Sequence, residues 1–418
     1  MNGAAWIGSA VIVELRQAGL SPMRILHVIP FMHPSAGGPP VVVENFVRKT
    51  SRLGHRSEII STARFCHGDE RILLRRLNEL APTTFLSPSR AFTSLHGPTR
   101  RQFGESIRAA DIVHLHTLWN PVNIIARQEC ARHRRPYVLM PHGMLDPYSL
   151  TVKRWRKALY LWAIERRNIL AAQRLIYTTE EEMRLAAIES PTAPKGVVVP
   201  LGGEVPCEDS KELASGFLER FPRARGRRLL LFLGRLHFKK GLDRILMVLP
   251  AIAKIFPEVL LTVVGDGTPD FEAALKRTIT AQGLENSVMM TGRLDGAEKW
   301  GAYASAELFL LPSRQENFAI VVAEAMQMGV PVVISNKVNT REYVEDAGAG
   351  VVLDEVRMES RLEHAILSLL QDCGRLRLMG KCGQEYARRH LTWEAAARRL
   401  LNCYDDVLNC TCSYDPKC

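Results

Sequence analysis

From Met23 onward, short β-branched apolar runs alternate with longer stretches whose apolar residues recur at helical spacing. In the first half the pattern predicts strands at Ile25–Ile29, Glu58–Ser61, Ile112–Leu115, Tyr137–Met140, Leu175–Thr178 and Val197–Val199. In the second half it predicts them at Leu229–Leu233, Leu260–Val264, Val288–Met290, Leu308–Leu311, Val332–Ile334 and Val351–Leu353. Continuous apolar strands separated by helix-length segments mean parallel sheets covered on both faces. Twelve strands are too many for one small sheet, and they divide between Pro200 and Arg228. That segment holds Gly202-Gly203, Pro206, a charged helix and the basic loop Arg223–Arg228. The expectation is an α/β chain of two doubly wound domains hinged near 200–205. In such sheets ligands bind beyond the carboxyl ends of the strands, so two facing domains would hold one in the cleft between them. The last predicted helix, Trp393–Leu408, has no strand after it and could cap either domain.

The chain has 418 residues, 46% hydrophobic and 24% charged, enough for two or three domains. No apolar run reaches the roughly 18 residues that span a bilayer. Residues 1–22 lack a basic start and carry Glu14 and Arg16, so they make a poor signal peptide. Met23 is a candidate start, with 1–22 a loosely ordered extension. Nine Cys without a C-x-x-C pair argue for a reducing compartment, and no His near Cys410, Cys412 and Cys418 points to a metal. The net charge of +11 is compatible with nucleic acid, an anionic membrane or anionic substrates. No nucleic-acid motif is present. Basic residues gather in Lys153-Arg-Trp-Arg-Lys157, Arg166-Arg167 and Arg174, with Trp155, Leu159 and Trp162 at helical spacing. This stretch, 151–175, reads either as a basic amphipathic helix on anionic lipid or as a surface helix packing its apolar stripe on the core.

The candidate chemistry sits at predicted strand ends. Glu316 and Glu324 are eight positions apart across a loop-to-helix junction. At a rise of roughly 1.5 Å per residue that is about 12 Å, too far to share a proton or a metal. The spacing suits clamps on the two ends of a long ligand, with helix N–H groups between them for an anion. A nucleotide-sugar has that layout; two solvated helix acids are the plainer reading. Gly234-Arg235 through Lys239-Lys240-Gly241 places cations at a strand-to-helix junction, where a guanidinium fork and an ammonium can neutralise a diphosphate without a metal. Gly265-Asp266-Gly267 is either room for a ribose or base or a simple turn. Gly37-Gly38, before a helix expected near Val41, lets backbone approach a phosphate, though Gly-Gly-Pro is also an ordinary turn. His142 and His116 end two strands where an imidazole can hydrogen-bond a reacting sugar, whereas His114 alternates into the core. Six more His, at positions 27, 33, 55, 67, 96 and 133, share this domain. G-x-S-x-G, H-E-x-x-H and G-x-G-x-x-G are all absent.

Taken together, these residues resemble the retaining glycosyltransferases of family 4, which have the two-domain GT-B fold. The resemblance runs from about Met23 to Leu408. Its most specific part is Pro312-Ser-Arg-Gln-Glu316 through Glu324-Ala-Met-Gln-Met-Gly-Val-Pro-Val-Val333, similar to the family's E-x7-E signature. The phrases His116-Thr-Leu-Trp119-Asn, Pro141-His142-Gly-Met-Leu-Asp146-Pro and Thr178-Thr-Glu-Glu resemble bacterial members that build surface polysaccharides. The resemblance implies that Glu316 holds donor-sugar hydroxyls and Glu324 the ribose. It gives Asn317, Phe318 and Ala319 backbone contacts to sugar or phosphate. Arg235 and Lys240 would stabilise the departing diphosphate in place of a metal, and Gly37 and Gly38 would close over phosphate and acceptor. His142 would lie by the reacting sugar, and the departing phosphate would take the acceptor's proton. Many members have Gly where Asn317 and Ala319 stand, which implies a tighter pocket here.

The implied layout is an extension (1–22), an acceptor-side domain (23–203), a nucleotide-sugar domain (204–390), a helix crossing back (391–408) and a tail (409–418). The implied partners are a nucleotide-sugar donor, a saccharide or lipid-linked saccharide acceptor and an anionic membrane surface at 151–175, with no nucleic acid and no cofactor or metal. The implied location is cytoplasmic, peripheral on the inner face of the cytoplasmic membrane. A nucleotide-sugar epimerase, a phosphorylase of the same fold, or a polyanion-binding module are the competing readings.

Overall fold

The structure, a computed structural model, describes residues 22–63, 66, 68–86, 97–151, 154–189, 195–204, 206 and 208–412. The expectations on residues 1–21, His67, His96, Lys153 and residues 413–418 fall outside these. The chain forms two compact units, residues 1–200 with 393–418, and residues 201–392.

The first unit carries a seven-stranded sheet in the order β3-β2-β1-β4-β5-β6-β7. Its strands are β1 (Arg24–Val28), β2 (Arg56–Thr62), β3 (Thr83–Leu86), β4 (Ile112–His116), β5 (Tyr137–Met140), β6 (Arg174–Tyr177) and β7 (Gly196–Val198). The second unit's six-stranded sheet runs β10-β9-β8-β11-β12-β13. Its strands are β8 (Arg228–Leu233), β9 (Val259–Val264), β10 (Val288–Gly292), β11 (Leu308–Leu311), β12 (Val332–Ser335) and β13 (Gly350–Leu353). All the pairings are parallel. All six residues of β9 are buried, and all four of β11. Helices cover both faces of these strands, which is why their sequences are apolar throughout instead of alternating.

β3 was not predicted. Thr83-Thr-Phe-Leu86 is a short edge strand with one fully buried residue, too little apolar signal for a run. In each sheet the strand order reverses beside the central strand, between β1 and β4 and between β8 and β11. Loops leaving neighbouring strands in opposite directions open a crevice there.

Three expectations change. The helix after β1 spans Gly38–Arg52 and starts ahead of Val41. Pro39 and Pro40 fit its first turn, because the N–H groups they lack have no intrahelical partner there. The 151–175 stretch is not one helix: Pro147–Thr151 and Arg154–Tyr160 precede a π-helical turn, Leu161–Glu165, and helix Arg166–Ala171. Its apolar stripe does not pack on the core, since Trp155, Leu159 and Trp162 are 69%, 59% and 72% exposed. Finally, the last helix runs to Cys412, past the expected end at Leu408.

That helix packs on Gly38–Arg52 within the first unit. Trp393 meets Phe46 edge-on at 5.9 Å, and the buried Tyr404 hydroxyl lies 2.6 Å from His114 Nδ1. An edge-on aromatic pair contributes about 1 kcal/mol beyond its buried area.

Candidate active site

In the second unit the β8 and β11 loops touch. Gly241 has φ 73° and closes the 3-10 turn Phe238–Lys240. A Cβ there would overlap the Pro312 carbonyl, so glycine is what lets the two loops lie together. Their contact puts Lys240 Nζ 2.7 Å from Glu316 Oε1, with both side chains largely buried. The Glu316 backbone is held by the loop after β12: its N–H donates to the Lys337 carbonyl (2.9 Å), and its carbonyl accepts from the Asn339 N–H (3.2 Å).

Arg235 is exposed and makes no ion pair or hydrogen bond among the described residues. Burial lowers the pKa of the His237 imidazole, with smaller contributions from Arg235, Lys239 and Lys240, while Glu316 opposes them. One imidazole thus senses all four charges. Other cations of these loops are internally paired. Arg314 forks onto Asp243 (2.9 and 2.7 Å) and lies over Phe238, and Arg244 forks onto Glu355 (3.0 and 2.7 Å). The sequence did not mark these pairs, which brace the loops.

The Gly265-Asp266-Gly267 turn packs its glycines closely on the loop after β8. Gly265 has φ 140°, and a Cβ there would overlap the Gly234 carbonyl; Gly267 meets the Leu236 carbonyl in the same way. The Leu236 N–H donates to the Asp266 carbonyl at 2.7 Å. Glycine here is a packing requirement between two backbones, and the Asp266 side chain is exposed.

Ala319 is left-handed (φ 52°, ψ 69°) and precedes helix Ile320–Gln327, which has no side-chain cap. The Val322 N–H turns back to the Ala319 carbonyl (2.8 Å), and the Ile320 and Val321 N–H groups ahead of it have no side-chain cap and can face an anion. Phe318 is buried beside Tyr343. Glu324, one turn into the helix, is also buried and accepts from Lys299 Nζ (2.8 Å) and the Tyr303 hydroxyl (3.0 Å). Sequence reasoning missed both partners. Their i, i+4 spacing on helix Gly296–Ala304 was a weak signal without knowledge of what that face covers.

In the first unit, Gly37 (φ 95°) and Gly38 follow β1 and His142 follows β5. They share the sheet's carboxyl edge, with β4 between them. Thr117 (φ 64°), Trp119 (φ 60°) and His142 (φ 55°) are all left-handed. Strained non-glycine backbone of this kind collects at functional sites. Glu182, also missed, braces the turn: it accepts from the Gly143 N–H (2.7 Å) and from the Thr178 N–H (2.7 Å) and hydroxyl (2.6 Å). Glu165 accepts from the Trp119 N–H at 2.9 Å.

Three histidines lie behind His142. His142 Nε2 lies 3.1 Å from His116 Nδ1, and His116 Nε2 lies 3.1 Å from His27 Nδ1. His114 pairs with His27 in register and stacks on His116 at 4.0 Å. Burial pushes His27 and His142 down to about 3. It also holds His114 and His116 well below their ordinary range, with neighbouring imidazoles adding to the effect. His27, His114 and His116 bring ring nitrogens within 4.8 Å of one another, close enough to consider a metal ion. The His114 and His116 rings are tilted by only 25°, however, so their in-plane lone pairs run side by side instead of converging.

Comparison with known proteins agrees with this picture. The family description "Glycosyl transferase 4-like domain" matches residues 37–202, and "Glycosyl transferases group 1" matches residues 218–386. A GDP-mannose:cellobiosyl-diphosphopolyprenol alpha-mannosyltransferase of Xanthomonas oryzae pv. oryzae is 25% identical over 389 residues, covering 92% of this chain and 97% of its own. A GDP-mannose-dependent monoacylated alpha-(1-6)-phosphatidylinositol monomannoside mannosyltransferase of Corynebacterium glutamicum is 29% identical over 175 residues, 40% of this chain and 44% of its own. Anabaena Alr3699/HepE, solved with UDP and glucose, shares the fold: TM-score 0.73 at 19% identity, covering 92% of this chain and 100% of that one. The chain belongs to the group 1, GT4-like glycosyltransferases and has their GT-B fold of two Rossmann-like parallel-sheet units.

Proposed function

We propose that the enzyme moves a sugar from a nucleotide-diphosphate sugar to an acceptor hydroxyl, with the anomeric configuration retained and no metal required, in the building of a surface polysaccharide or glycolipid. The observation that carries this reading is the Lys240–Glu316 pair at 2.7 Å, beside an unpaired Arg235 and an uncapped helix N-terminus. The barrier is the breaking of the glycosyl–phosphate bond, which places charge on the leaving diphosphate. Fixed cations and N–H groups aimed at that oxygen are the main source of rate. Lys240 and Arg235 serve as those cations, with N–H groups from Asn317 to Ala319 beside them. Glu316 accepts hydrogen bonds from donor-sugar hydroxyls and orients Lys240. Glu324 receives the ribose hydroxyls alongside Lys299 and Tyr303. His142 hydrogen-bonds the reacting sugar, and Gly37 and Gly38 leave space for phosphate and acceptor.

The names of the relatives make GDP-mannose the first donor to try and a lipid-linked acceptor the first class. Exposed Trp155, Leu159 and Trp162, among exposed Arg154, Arg156, Arg166 and Arg167, favour docking on an anionic membrane surface. The test is a thermal-shift panel of GDP-, UDP- and ADP-sugars in chelator. A donor at 100 times its dissociation constant stabilises by about 2.7 kcal/mol. No stabilisation by any of them, or stabilisation only on adding divalent metal, rejects the metal-free reading.

A further inference from the structure

We infer that His116 and His27 are positioning residues: their hydrogen-bonded chain fixes the tautomer of His142, so that His142 presents a ring N–H at the carboxyl edge of the sheet. This deepens the transferase reading above, which sets His142 beside the reacting sugar, and rests on it for the purpose of that N–H.

The argument is a proton count. The three rings are joined by two contacts of 3.1 Å, His142 Nε2 to His116 Nδ1 and His116 Nε2 to His27 Nδ1. Burial holds all three neutral, so each carries one N–H. Each contact needs one donor and one acceptor, which leaves two polarities for the chain. If protons point inward, His142 donates from Nε2, His116 donates from Nε2, and His27 is left with an N–H on its own Nε2. If they point outward, His27 and His116 both donate from Nδ1, and His142 carries its proton on Nδ1.

The inner end decides between them. His27 is fully buried, and its Nε2 has no hydrogen-bond partner among the described residues. A buried orphan N–H is rarer than an under-used acceptor. The outward polarity leaves only a bare lone pair at His27. At the outer end His142 is partly exposed, with left-handed backbone (φ 55°) held by the Gly143–Glu182 hydrogen bond. The chain therefore offers an oxygen-bearing ligand a donor at His142 and discriminates against ligands that bring a donor of their own. His114 stands outside the chain, since its Nδ1 pairs with Tyr404.

Hydrogen positions are assigned by networks, so the test reads them directly. The full chain, labelled with 15N-histidine, is studied by long-range 1H–15N correlation at neutral pH, with the His142 signals assigned by their loss in His142→Asn. The expected result is one tautomer at His142, with a pyrrole-type Nδ1 and a pyridine-type Nε2. His27→Phe removes the inner donor, and the single-tautomer signature should give way to a mixture. His27→Asn, which keeps an amide N–H at the Nδ1 position, should restore it. A pyridine-type Nδ1 in the wild type overturns the inference, as does an unchanged His142 in a folded His27→Phe. If His27→Phe does not fold, the wild-type spectrum alone decides. The readout needs no turnover: the expected tautomer without transfer from any nucleotide-sugar would leave the chain standing and sink the transferase reading.

Discussion

Glu165 offers a quantitative check on how the first unit is built. It is fully buried in the π-helical turn and serves as acceptor for the Trp119 N–H (2.9 Å) and Asn168 Nδ2 (3.2 Å). Asn168 Oδ1 in turn accepts from Arg127 Nε at 2.9 Å. Burial raises the carboxyl from 4.5 to about 7, and the two hydrogen bonds only partly oppose it. The folded state therefore binds the proton more tightly than the unfolded state. Stability from this group is fully present below 4.5 and is lost as pH rises to about 7. At about 1.36 kcal/mol per pH unit, the loss is about 3 kcal/mol. The buried histidines act with the opposite sign. His27 and His142 are depressed to about 3, so their contribution is present above 6.5 and is lost as pH falls. A raw stability curve mixes the two, and only a difference isolates Glu165. Urea unfolding of wild type and Glu165→Gln should be run in parallel from pH 5 to 8. The wild-type stability should fall relative to the variant by most of that 3 kcal/mol up to pH 7 and then level off. A gap that stays constant across the range refutes the reasoning.

On the proposed reading Glu316→Ala and Lys240→Ala should each lower turnover by about tenfold or more with circular dichroism unchanged, because Lys240 would neutralise the leaving diphosphate and Glu316 would hold the donor sugar and orient Lys240. Full activity in both would remove these residues from the site. For the exposed stripe, Arg154→Ala/Arg156→Ala should weaken binding to phosphatidylserine vesicles by about 2 kcal/mol, roughly thirtyfold. Trp155→Ala/Trp162→Ala should weaken it at high salt as well, and vesicle binding untouched by both pairs ends the docking reading. Tyr404→Phe deprives His114 Nδ1 of its partner while its Nε2 already has none among the described residues, so unfolding should cost about 1–2 kcal/mol less. A melt that overlays the wild type would show the bond contributes nothing.

The alternation of apolar runs with helical stretches was enough to read both sheets, because doubly covered parallel strands leave an unmixed signal. Thr83–Leu86 escaped for the converse reason, being a half-exposed edge. The positions of Lys240 and Glu316 were legible as strand ends; that they meet was not, since the contact depends on Gly241 lying against Pro312. Lys299, Tyr303, Glu182 and Glu165 gave at most a weak local sign, because each also bonds a group distant in sequence: Glu324 for the first two, the Gly143 N–H for Glu182 and the Trp119 N–H for Glu165. His27 read as one of many histidines until the pairing of β1 with β4 set it beside His114 and His116.

The helix Trp393–Cys412 belongs to the first unit although the whole second unit separates it in sequence. Synthesis therefore delivers the first unit incomplete. Until the final segment leaves the ribosome, the apolar side of Gly38–Arg52 and the ring of His114 lack their cover, while the second unit is already contiguous and able to close. Nascent chains halted just short of residue 393 should accordingly be captured by holdase chaperones through their first half, and a frameshift late in the coding sequence should be as damaging as one near its beginning.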